Sequence, residues 1–255
     1  MNRICKFFLI MVLIVLISGK IYAGTVAGAD QQFRIDYVLK YKNNTKNVRN
    51  IKLEMPVVMT VAPHQKVLSI EVFPKPTGYR SSERGKTAEF LLKDVKPGQE
   101  VKCGYKCLVA TKRIIFNVDA ARTGNSYPDS LKSYCQNEPE FPCNDKTLKN
   151  VVSQVVAGET NPYYKTLKVY DFIRKFRFQH TNQAAPVLEA LSKRTVQCSD
   201  AAELLVTMNR AAGIPARYCG GFFLKESENI LKETHAWAEV YLTGEGWAAI
   251  DPTMG

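Results

Sequence analysis

The apolar residues of this chain change their spacing partway along, and that change limits the fold more than any other feature. Phe33, Ile35, Tyr37, Leu39 and Tyr41 occupy alternate positions, with Arg34, Asp36, Lys40 and Lys42 between them. Leu148, Val151, Val152, Val155 and Val156 instead recur three and four apart. Period two is that of a half-buried strand and the longer period that of an amphipathic helix, so a β-rich half is expected to precede a half that contains helices. A length of 255 residues has room for two such units. With 45% apolar and 23% charged residues and no fixed-period repeat, the chain is neither disordered, nor a coiled coil, nor a solenoid.

In the first half, Asn43 to Asn47 forms a turn cluster, and further strands are expected near 48–55, 66–73, 86–93, 99–110 and 112–118. Pro63, Pro74, Pro76, Gly78 and Pro97-Gly98 separate them. So many short strands predict a β-sandwich of the immunoglobulin-like kind over 30–119. Residues 120–146 carry Gly124, Pro128, Pro139 and Pro142 without a clear period and read as a linker. The second domain, 147–255, is expected to run from helices into strands. Its helices fall near 148–156, from Pro162 to about Phe176, near 186–193, and from Cys198 to Ala212. Ala201, Leu204, Leu205, Met208 and Ala212 make the last of these one apolar stripe, stopped by Gly213 and Pro215. Strands are expected at 216–224, 235–242 and 247–251.

The N-terminus reads as an export signal. Arg3 and Lys6 precede an unbroken apolar run from Phe7 to Ile17, too short to span a bilayer, and Ala23 offers a small residue for cleavage. The mature chain is expected from about Gly24, periplasmic or extracellular, without a stable membrane span; an uncleaved anchor is the alternative. Loss of Arg3, Lys6 and Lys20 with residues 1–23 lowers the net charge from +11 to +8. Nucleic acid is not expected as a partner of an exported protein. Its basic charge suits anionic wall polymers or membrane surfaces, or simply keeps it soluble.

Cys103 and Cys107 share one strand face about 13 Å apart, too far to bond each other. Cys135 and Cys143 flank a Pro-containing loop and are the candidate disulfide; no metal site is expected from these thiols. Cys198 differs because it opens a helix, where free N–H groups and the helix dipole favour a thiolate. Such a nucleophile needs an acid/base partner. Of His64, His180 and His235, only His235 has a carboxylate in view, Asp251 on the following strand. Register decides whether the two can meet. An even turn puts Asp251 on the face opposite His235, whereas a three-residue loop, Thr243 to Glu245, pairs Leu242 with Gly246 and Asp251 with Trp237, one diagonal from His235. The odd loop or a bulge is therefore predicted.

The blocks Cys198-Ser199-Asp200-Ala201-Ala202, Asn209 to Tyr218, His235-Ala236-Trp237-Ala238-Glu239-Val240-Tyr241 and Gly246 to Thr253 together resemble the transglutaminase-like superfamily. That resemblance covers roughly Leu148 to the C-terminus. It implies a papain-like α+β core, helices packed on an antiparallel sheet, with Cys198 as nucleophile, His235 as general base and acid, and Asp251 orienting it. The N–H of Cys198 is the natural first oxyanion donor, with Gln197 a candidate for the second. Val196 departs from the family, which commonly has Gly two residues before the nucleophile. The resemblance implies an exported, cofactor-free enzyme that cleaves or transfers the acyl group of a protein or peptide amide, cell-wall peptide among them, through a thioester on Cys198. The first half would hold the substrate or set the protein on a surface. The alternative is an idle binding or scaffold module of the envelope; the oligomeric state is left open.

Overall fold

The computed structural model describes residues 10–14, 24–62, 64–82, 85–180, 183–224, 230–231 and 234–254. Most of the expected leader, 1–9 and 15–23, lies outside the described residues; within it, Ile10–Ile14 is strand β1. The chain separates into two compact units.

The first unit contains β2 (Gly24–Lys42), β3 (Arg49–Val57), β4 (Gln65–Phe73), β5 (Gly78–Ser82), β6 (Gly85–Val95) and β7 (Glu100–Phe116). The two strands expected at 99–110 and 112–118 are one continuous strand, β7. β2, β7 and β4 are neighbours in one sheet, and β3, β6 and β5 in another, with antiparallel β3–β6, β5–β6 and β4–β7 pairs. Phe33 and Ile35 of β2 and Tyr105, Cys107 and Val109 of β7 share one buried core with Met55 and Val57 of β3 and Phe90 of β6. The two sheets therefore pack through alternate side chains, as the period-two pattern requires. They establish a layered β architecture, not the narrower immunoglobulin-like class. Gly104 is where β7 comes closest to β2: a Cβ there would stand 2.3 Å from the Tyr37 carbonyl oxygen.

The second unit holds α1 (Lys146–Val155), α2 (Pro162–Ile173), β8 (Arg177–Phe178), α3 (Val187–Lys193), β9 (Thr195–Val196) and α4 (Cys198–Ala211). Each start has a local cause. The Asp145 side chain accepts from the Leu148 N–H at 2.9 Å, and that of Asn161 from the Tyr163 N–H at 2.9 Å just ahead of Pro162. The stripe Ala201, Leu204, Leu205 and Met208 of α4 is wholly buried. It packs with Ala216 of β10 (Ala216–Leu224), Ala238 and Val240 of β12 (Thr234–Leu242) and Ala248 of β13 (Gly246–Ile250). β10, β12 and β13 are successive neighbours in the sheet. Arg217 on β10 donates from Nε to Glu239 on β12 at 2.8 Å and lies 4.0 Å from the Trp247 ring centroid, so this buried charge is paired and stacked.

Residues 120–146 form a strap on the second unit. Leu131 and Tyr134 are buried with Trp247, Phe141 joins the helical core, and Arg210 of α4 donates to the Gln136 carbonyl and the Glu138 carboxylate, both at 3.0 Å. Its anchors are single side chains at irregular intervals, which leaves no period to read. The expected C-terminal domain is also interrupted, since Gly221–Thr234 clusters with the first unit. There Phe222 is buried in the β core, and β11 (Ile230–Leu231) pairs in parallel with Arg34 and Ile35.

The β12–β13 hairpin has the odd register: Leu242 pairs with Gly246 and Ala238 with Ile250, around a loop of Thr243, Gly244 and Glu245. Gly244 has φ +85, and a Cβ there would lie 2.5 Å from the Arg122 carbonyl oxygen. The strap holds this loop, with Arg122 donating to the Gly244 carbonyl at 3.1 Å and the Thr243 hydroxyl to that of Ser126 at 2.8 Å. Gly244→Ala meets both a forbidden backbone region and a backbone clash, so it is expected to destabilise the second unit by about 1–3 kcal/mol. Urea denaturation monitored by tryptophan fluorescence tests this, both tryptophans lying in that unit; an unchanged midpoint would contradict the strap's role.

Candidate active site

Cys198 is the first residue of α4, so its sulfur stands where unpaired N–H groups converge. Its pKa lies below the ordinary thiol value: a hydrogen bond with the His235 side chain lowers it most, burial opposes this, and the His235 charge and the backbone N–H groups of Ala236 and Ser199 lower it further. Asp200, buried two residues on, fixes this helix start. Its carboxylate accepts from the Gln197 N–H at 3.2 Å and the Ala185 N–H at 3.1 Å. Gln197 thus occupies the cap position immediately before the thiol, with extended backbone. Val196, where the family pattern has Gly, is buried in the helical core, and its carbonyl accepts from the Gln179 N–H at 2.9 Å.

His235 lies at the start of β12 and Asp251 just past the end of β13. The odd register lets them meet: His235 Nε2 and Asp251 Oδ2 are 2.5 Å apart. The other carboxylate oxygen accepts from the Thr253 N–H at 2.9 Å and the Thr253 hydroxyl at 2.7 Å. Asp251 is therefore held from both sides and presents one fixed oxygen to the ring. With Nε2 taken, Nδ1 is the nitrogen left for the thiol. Burial alone would lower the His235 pKa, but hydrogen bonds and charge from Asp251 and Cys198 outweigh it and hold the imidazolium up to about 9. Trp237 stacks beside the ring, centroids 6.4 Å apart at 22°.

His64 belongs to the first unit and His180 packs edge-on to Phe178. The candidate disulfide is not formed: Cys135 and Cys143 are free thiols, and Cys143 Sγ faces the Cys135 carbonyl oxygen at 3.8 Å. Cys103, Cys107 and Cys219 are buried thiols whose pKa values burial pushes up, Cys107 to about 12, which separates them chemically from Cys198. Among the described residues no group of His, Cys, Asp and Glu could hold a metal ion.

Sequence reasoning missed Thr253, Asp200 and Tyr218. Asp-Pro-Thr is a turn signal in which a side chain bonds backbone two residues on, and an acid at the third helical position is a capping signal, so the first two were readable. Tyr218 had no such signal. It lies on β10 with its phenol pKa raised, chiefly by burial and then by the charges of Glu203 and Cys198.

Residues 149–252 match the family described as the transglutaminase-like superfamily. A stretch of 69 residues is 36% identical to the uncharacterized protein YebA of Bacillus subtilis, covering 23% of this chain and only 9% of that protein. Among solved structures, a candidate cysteine protease from Cytophaga hutchinsonii superposes with a TM-score of 0.72 at 18% identity, over 89% of this chain and 78% of that one. The periplasmic domain of TgpA from Pseudomonas aeruginosa gives 0.50 at 14% identity, over 97% and 82%. At these identities the likeness is one of fold.

The raised His235 pKa carries a pH signature. Its contribution to stability is complete below its ordinary 6.5 and is lost as pH rises through about 9. Asp251→Asn is expected to lower the His235 pKa, read by NMR titration of the ring. It should also abolish the loss of wild-type denaturation midpoint between pH 6.5 and 9. A His235 pKa unmoved by the substitution would contradict the pairing.

Proposed function

Residues 149–252 belong to the transglutaminase-like superfamily, and on that premise we propose that the chain is an exported thiol acyltransferase or hydrolase acting on protein or peptide amides. The observation that carries this reading is a cysteine at a helix start whose pKa is lowered by a histidine that a carboxylate holds. The Cys198 thiolate attacks the amide carbonyl carbon, and the carbonyl electron pair moves onto oxygen. The Cys198 N–H faces that oxyanion, with Gln197 beside it as the neighbouring side chain. As the pair returns, the C–N bond breaks and the His235 imidazolium protonates the leaving amine. Neutral His235 then takes a proton from water or from an acceptor amine, which attacks the thioester and releases the thiolate. Asp251 keeps the ring in one orientation and stabilises its charged form throughout.

Water as acceptor gives a peptidase or amidase, and a lysine-type amine gives a crosslink; wall peptides, which offer both amides and amines, fall within the class. The leader-like N-terminus supports an envelope location, as does the fold shared with a periplasmic domain.

A peptide library incubated with added lysine and read by mass spectrometry tests the assignment, new termini reporting hydrolysis and mass increments reporting amine transfer. Cys198→Ala is expected to abolish both, and His235→Ala and Asp251→Ala to lower the rate by about 10²- to 10⁴-fold. The wild-type rate should rise as Cys198 loses its proton and fall as His235 loses its own near pH 9. Products that persist in Cys198→Ala would contradict the proposal.

A further inference from the structure

Thioester formation needs a second donor to the developing oxyanion beside the Cys198 N–H, and no neighbouring residue is assigned to that task by position alone. Tyr218 has the properties required. Ala216, two residues before it, packs against α4, so strand alternation turns Tyr218 toward the same helix, while Arg217 and Cys219 face the buried Glu239. The Tyr241 N–H bonds the Pro215 carbonyl at 2.8 Å, and continuing that antiparallel register along β10 and β12 brings Gly220 level with Ala236. Ala236 is the residue whose N–H reaches the Cys198 sulfur. A Cβ on Gly220 would lie 3.8 Å from Tyr218 Cε1, so the ring leans along β10 toward that point.

The phenol is also available. Tyr218 is 36% exposed, and its hydroxyl makes no hydrogen bond to any described residue. Burial and the neighbouring Glu203 and Cys198 charges keep its proton on, so it is a donor throughout the working pH range. A half-exposed, uncommitted O–H beside a nucleophile contributes no hydrogen bond to the fold and is free for a substrate.

We propose that Tyr218 donates a hydrogen bond to the substrate carbonyl oxygen as Cys198 attacks, and so completes the oxyanion site. The inference rests on the acyl-transfer reading above and adds a catalytic residue to it. As the Sγ–C bond forms, the C=O π pair becomes the oxyanion that Tyr218 and the Cys198 N–H hold; when that pair returns, the leaving group departs with its own bonding pair.

Two reactions of the same thiol separate the roles. Acylation by p-nitrophenyl acetate passes through an oxyanion and releases p-nitrophenolate, whereas alkylation by iodoacetamide displaces iodide without one. Tyr218→Phe is expected to slow the acylation burst by about 100- to 1000-fold, the range for loss of one such donor. Its alkylation rate at Cys198 should stay within about twofold of wild type, which also shows that the variant is folded. An acylation rate equal to wild type would overturn the proposal, as would a parallel loss in both reactions, which would place Tyr218 on the thiol rather than the oxyanion. Slow acylation only in Gln197→Ala would assign the donor to Gln197 instead. If wild-type Cys198 alkylates readily but gives no acylation burst, the acyl-transfer reading itself falls, and this inference with it.

Discussion

The contact between His235 and Asp251 is the constraint around which the second unit is arranged. A ring this buried would ordinarily stay neutral, and the Asp251 carboxylate together with Cys198 keeps its charged form within reach at neutral pH. Asp251 reaches the ring because the β12–β13 loop has an odd number of residues; an even loop would turn the carboxylate to the other face. That loop in turn depends on Gly244 at positive φ and on a strap that bonds it from residues 122 and 126. The geometry of this pair is thus a matter of register, held some distance from the ring itself.

Helix α4 links this pair to the core. Its N-terminus supplies the thiol and the backbone donors, its buried stripe ties it to the sheet, and Arg210 near its other end fastens it to the strap. The helix cannot slide along its axis without exposing Leu204 and Leu205, each worth several kcal/mol when lost from a core. Cys198 is therefore placed by hydrophobic packing as much as by polar contacts, and Asp200 sets the final turn.

Much of this was legible in the residues. The two hydrophobic periods gave the order of strands and helices, Asn161-Pro162 marked a helix start, and the loop parity between His235 and Asp251 could be reasoned from numbering alone. What could not be read were contacts made by isolated side chains. The strap at 120–146 buries Leu131, Tyr134 and Phe141 without periodicity, and residues 221–234 cluster with the first unit although they fall inside a run of second-unit motifs. Cys135 and Cys143 looked like a bonded pair from spacing, yet spacing carries no information on where the two sulfurs point. Tyr218 was hidden for a similar reason, since its partner is to be the substrate rather than another residue of the chain.

The central claim is that His235 makes Cys198 a thiolate at a pH where an ordinary thiol is protonated. The most direct measurement is the ultraviolet absorbance of the thiolate followed through a pH titration, taken as the difference between wild type and Cys198→Ser, and repeated in a His235→Ala background. In the wild type the thiolate is expected to form below the usual thiol pKa, and without His235 to return to the ordinary range. A Cys198 that titrates as a normal thiol, indifferent to His235, would contradict it.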